Sequence, residues 1–188
     1  MKKTAQIIIL TLCLLSTVVL FGGCTKAPQT PAPSDKTPQT SDQNTLITKN
    51  ITLYFSDDKA MYLVPETREV KIPKDSDAAK IGEAIVKELI AGPADNKLAP
   101  TIPKEAKLLS LKITDQTAYV DFSEEIRSKH PGGSTGEAMT LNSLVNSLTE
   151  LKEIQKVQLL INGKEVDTLV GHADLSQPLT RNESIIKK

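Results

Sequence analysis

The feature that most constrains this chain is a repeated change of hydrophobic period, from two residues to three or four and back, after residue 48. Ile51, Leu53 and Phe55 alternate with Thr52 and Tyr54, as in a half-buried strand. Ser56-Asp57-Asp58-Lys59 turns the chain, and Met61 to Val64 resumes strand character. Pro65 lacks the N–H that a ladder needs, which places this strand at a sheet edge or ends it there. Arg68 to Ile72 extends it as a short arm. Ala78, Ile81, Ile85 and Leu89 then recur at helical spacing, with Asp75 or Ser76 placed as N-cap and Gly92-Pro93 as the stop. Leu109, Leu111 and Ile113, then Ala118, Val120 and Phe122, alternate on either side of Asp115-Gln116, which reads as a hairpin. A second helix from about Ser134 carries Leu141, Leu144, Val145, Leu148 and Leu151 in one stripe, with Ser134 and Glu137 at capping-box spacing. Val157, Leu159 and Ile161 form a strand, Asn162-Gly163 has the character of a type I′ turn, and Lys164 to Leu169 returns.

The predicted order is β-β-α-β-β-α-β-β. It implies an α+β fold, a two-layer sandwich with two helices on one face of a mostly antiparallel sheet. One apolar stripe per helix agrees with that packing. The stretch from Leu169 to Leu179 has little periodicity and reads as an ordered tail closing over a sheet edge. Residues 49–188 are the right length for a single domain. Its core must be aliphatic, since the chain has three Tyr, three Phe and no Trp.

The first 48 residues cannot join that core. Lys2 and Lys3 precede an uncharged, mostly apolar run from Ile7 to Phe21, too short to span a bilayer and ending at Gly22-Gly23-Cys24. This resembles a lipoprotein signal, in which residues 1–23 are removed and Cys24 is acylated to become the mature N-terminus. Phe21 stands where an aliphatic residue is usual. An uncleaved signal anchor and ordinary secretion are the alternatives. Cys13 leaves with the signal, so the mature chain keeps a single thiol, unable to form an internal disulfide. Residues 24–48 are rich in Pro, Thr, Ser and Gln and read as a disordered tether. Its 24 residues after Cys24 would reach about 75 Å as extended polyproline II. Without the signal the net charge is −2, with scattered basic residues and nothing that favours nucleic acid.

Candidate chemistry is sparse. Gly132-Gly133-Ser134-Thr135-Gly136 matches the G-x-S-x-G pattern, with Asp167 and His172 following in hydrolase order. The residues before Ser134, Ile126 to Pro131, do not form the buried strand that a nucleophile elbow needs, and a helix start accounts for them. His130 and His172 are the only histidines, and no Cys of the folded region joins them in a zinc set. Asp57-Asp58 and Glu124-Glu125 read as solvated turn carboxylates. No cofactor, metal site or catalytic residue is assigned; Cys24, as the lipid attachment point, is the one site residue.

Several segments resemble one family in order. Leu53-Tyr54-Phe55, Leu63-Val64-Pro65-Glu66-Thr67-Arg68, Leu89-Ile90-Ala91-Gly92-Pro93, Ile102-Pro103 and Val120-Asp121-Phe122-Ser123 are similar to the GerMN domain of sporulation and spore-germination proteins. Gly133-Ser134, Val145 to Thr149, Val157 to Lys164 and His172 to Leu179 continue the likeness. The resemblance implies an extracytoplasmic, often lipid-anchored, non-enzymatic domain, and it brings no catalytic residue with it. The expected function is a membrane-tethered interaction module of the cell envelope, on the outer face of the membrane, with an envelope or spore protein as partner. A solute- or glycan-binding lipoprotein and a cell-wall or ester hydrolase are the alternatives.

Overall fold

The computed structural model describes residues 45–188. The signal segment, Cys24 and the tether up to residue 44 lie outside the described residues. The elements run β1 (Leu46–Asp57), β2 (Leu63–Pro73), α1 (Ala78–Ala91), β3 (Leu98–Ala99), β4 (Leu108–Thr114), β5 (Thr117–Phe122), α2 (Glu125–Ser128), α3 (Ser134–Leu148), β6 (Lys156–Ile161), β7 (Lys164–Glu165) and β8 (Leu179–Thr180), with a 3₁₀ turn at Glu183–Ile185. The fold is α+β, as the alternating periods indicate. Strand β1 begins at Leu46, so the ordered domain starts ahead of residue 49.

The strands form two sheets instead of one. β2, β1 and β3 make a three-stranded sheet in that order, and β4-β5-β6-β7, with β8 also on β6, make a five-stranded one. Antiparallel pairing dominates, but β5 and β6 are parallel. Parallel neighbours need a crossover connection, and α2 and α3 supply it. The aliphatic core joins β1 and β2, both long helices and the five-stranded sheet, with Leu53, Phe55, Val86, Leu89, Phe122 and Leu148 all sealed from solvent.

Several local expectations change in the structure. β2 is one continuous strand through Pro65 to Pro73, and it is an edge strand. Pro65 stands opposite Tyr54, whose own N–H and C=O point away from β2, towards α3. In an antiparallel pair both partners then face outward, so the missing proline donor leaves no gap in the ladder. The N-cap of α1 is Asp77, whose side chain accepts the Lys80 N–H at 2.8 Å, not Asp75 or Ser76. Gly92 ends that helix with φ 86°, a conformation glycine adopts at little cost. Asn162 and Gly163 both have positive φ, as a type I′ turn requires. The returning strand is only Lys164–Glu165, because the chain beyond it spends its N–H groups elsewhere. The tail does close a sheet edge: β8 pairs with β6, and Gln158 Nε2 donates to the Leu175 carbonyl at 2.9 Å.

Candidate functional site

A half-open, mostly apolar groove of about 560 Å³ lies beside the first half of α3. Ile90 and Pro93 line one side, Ala99 and Ile102 the base, and Pro131, Gly136 and Met139 the other side. The Gly92–Asp95 loop on the first side is clamped by two residues of β2. Arg68 donates to the Gly92 carbonyl at 3.0 Å and to Glu88 at 2.6 Å, and it pairs with Glu66. Glu66 in turn accepts the N–H groups of Ala94 and Asp95. Two segments distant in sequence, Leu63–Arg68 and Leu89–Pro93, thus meet as one structural unit.

Beneath the groove runs a buried polar chain. Ser143 Oγ donates to the Tyr54 carbonyl at 2.5 Å, and Ser147 Oγ accepts the Tyr54 N–H at 3.0 Å. β3 pairs with β1 only at Ser56 and Asp57. The two serines, one helical turn apart, therefore satisfy the edge of β1 where no strand reaches it. Thr101 Oγ1 lies 2.6 Å from Ser143 Oγ, Thr140 Oγ1 donates to the Thr101 carbonyl at 2.5 Å, and His130 Nε2 lies 2.9 Å from Thr140 Oγ1.

Glu137 departs most from expectation. Neither it nor Ser134 makes a capping box; Gly133 is the N-cap of α3, with no side-chain cap bond. The Glu137 side chain is fully buried. Its carboxylate accepts N–H bonds from Leu169 and Val170 at 3.0 Å and from His172 at 2.9 Å, and the Thr168 hydroxyl at 3.0 Å. Burial works against its charge, but the bonds from Val170, Thr168, His172 and Leu169 outweigh it and hold the carboxyl below its ordinary range. Arg127 completes the anchor by donating to the Thr168 and Leu169 carbonyls at 3.0 and 2.9 Å. A capping box and an inward anchor use the same residue at the same position, so spacing alone cannot separate them.

The hydrolase candidates do not assemble. Ser134 is exposed at the start of α3 and follows a loop, while Asp167 and His172 are exposed beyond β7. Asp57 is a turn carboxylate, its Oδ1 accepting the Met61 and Tyr62 N–H groups. Among the described residues no three His, Cys, Asp or Glu side chains converge as a metal site. Cys24 lies outside them.

The family model for sporulation and spore germination, Germane, matches residues 52–167, which span both sheets and all three helices. The chain belongs to the Germane family. The spore germination protein GerM of Bacillus subtilis (strain 168) is 27 % identical over 148 residues. That match takes in 73 % of this chain but only 38 % of GerM. The tandem GerMN domains of the same GerM superpose with a TM-score of 0.58 at 27 % identity, covering 71 % of this chain and 46 % of that one. A Clostridium perfringens crystal structure, assigned as a lipoprotein, superposes at 0.52 with 29 % identity over 71 % of this chain and 87 % of its own. The chain is thus a GerM-like domain of a sporulation- and germination-associated family, and the GerMN resemblance read from its segments holds. Within this Germane domain, the Arg68 clamp, the Tyr54 edge and the first helical turns of α3 all fall inside the matched span.

Proposed function

We propose that this chain is a non-enzymatic lipoprotein, anchored by an acyl group on Cys24 to the outer face of the bacterial cell membrane. Its Germane domain docks an envelope or spore protein in the groove between the Gly92 loop and α3. The observation that carries this reading is the division of labour at the site. The concave surface is mostly apolar, while the side chains of Ser56, Asp95 and Thr140 on its lining are bonded to the domain's own backbone. Such a surface suits the desolvation of an apolar partner segment. The likeness to a protein assigned as a lipoprotein supports the anchor.

The test is photocrosslinking in cells that express the full-length protein. A probe at Ala91, exposed in the groove, should yield a defined protein adduct that a probe at Lys112, exposed on β4, does not. Equal labelling from both positions, or none from Ala91, would contradict docking in the groove. For the anchor, the Cys24→Ala variant should lose fatty-acid labelling and leave the membrane fraction. A second reading, an apolar small solute in the same groove, is favoured by its volume, which falls within the range of ligand pockets. A solute that raised Tm would support it.

A further inference from the structure

We propose that His130 is a proton-operated latch on the Pro131 wall of the groove, holding the turn into α3 when neutral and releasing it when its Nδ1 is protonated. The protons along the buried chain can be placed one by one. A carbonyl can only accept, so the single proton of Thr140 Oγ1 goes to the Thr101 carbonyl. Thr140 Oγ1 is left with lone pairs, and the His130 nitrogen 2.9 Å away must be the donor. Nε2 therefore carries a proton. On the other side of the ring the Gly132 N–H donates to Nδ1 at 2.9 Å, which requires that nitrogen to be bare. The bonding partners thus select one state, neutral imidazole with its proton on Nε2.

A second proton can only go to Nδ1, and there it faces a donor. Gly132 N–H would lose its acceptor at the point where the chain turns through Gly132 and Gly133, with φ 83° and 78°. Pro131 and Gly136 lie on either side of this turn and both line the groove. The ring also packs on Gly136, where an added Cβ would stand 3.5 Å from His130 Cε1. The charged and titratable groups on the elements packed around it are Glu137 on α3, Glu124, Glu125, Arg127 and Lys129 on and beside α2, Lys104 in the segment after Thr101, and His172 in the loop bound to Glu137. Burial disfavours the imidazolium, and the attraction of Glu137 offsets this only in part, so the ring titrates below the ordinary histidine value of 6.5. The unfolded chain then takes up its proton first, and stability contributed by this contact is present above 6.5 and lost as pH falls.

The inference concerns the wall itself and stands whether or not a protein docks in the groove. It is tested on the full-length protein with ¹⁵N-labelled histidine. At neutral pH the His130 Nδ1 should have the shift of a bare nitrogen and Nε2 that of a protonated one. The hydrogen-exchange protection of the Gly132 amide, corrected for intrinsic rate, should fall at least about tenfold as His130 is protonated. In His130→Asn the carboxamide oxygen can take the Gly132 N–H but cannot titrate, so the fall should vanish. A proton found on Nδ1 at neutral pH, or an equal loss of protection in the Asn variant, would overturn the latch. Should that variant fail to fold, the wild-type tautomer alone decides.

Discussion

The two long helices are almost equal in length yet solve opposite problems. α1 follows the amphipathic rule: Ile85, Val86 and Leu89 are buried while Lys80 and Lys87 face water. α3 is buried on nearly every side from Glu137 to Leu148, and half of those buried residues are polar. Leu144 and Leu148 pack in the aliphatic core. Glu137, Thr140, Ser143 and Ser147, spaced at three and four residues, bond to backbone groups in three separate segments. A buried hydroxyl or carboxylate is tolerated when its partners are met and costly when they are not. α3 therefore acts as a connector between two sheets, and α1 as a lid over one side of the core.

The two helices should differ most at Glu137. Glu137→Ala leaves three backbone N–H groups without their acceptor, and the loss in urea unfolding should be at least about 3 kcal/mol. Glu83→Ala on α1 disrupts only a partly exposed pair with Lys80 and should cost at most about 1 kcal/mol. Equal losses would erase the distinction between the helices. Because the Glu137 carboxyl sits below its unfolded value of 4.5, its contribution is present above that pH and lost as pH falls. The gap between wild type and Glu137→Gln should accordingly narrow in acid. Next in size is Ser143→Ala, which strands the Tyr54 carbonyl and should cost about 1–3 kcal/mol by thermal or urea unfolding. Arg68→Ala, on β2 against the C-terminal end of α1, should cost about 1 kcal/mol and speed exchange of the Ala94 and Asp95 amides. Lys87→Ala, on the exposed face of α1, should stay within about 0.5 kcal/mol.

The same contrast explains what could be read in advance. α1, the Asn162-Gly163 turn and the β4–β5 hairpin were legible because each is determined by local period or turn chemistry. The Germane likeness was legible because short segments kept their order. The second sheet was not, since nothing in the alternation of Ile51, Leu53 and Phe55 says which strands will share a ladder. Nor was the buried polar stripe of α3. Thr140, Ser143 and Ser147 look like a solvated face until their backbone partners, brought from residues some 40 to 90 positions away, are in place. Glu137 misleads for a related reason: a glutamate three residues after a serine is what a helix start favours, and only the folded closing loop offers it more bonds. The groove has no sequence signature, because its walls come from Gly92, Pro131 and Met139 in three separate elements.

α3 replaces a missing strand along β1, and amide exchange at Tyr54 in Ser147→Ala tests this directly. Tyr54 should exchange at least about tenfold faster in the variant while Leu53 and Phe55, paired to β2, keep their protection. An unchanged Tyr54 amide, or equal acceleration at all three residues, would contradict it.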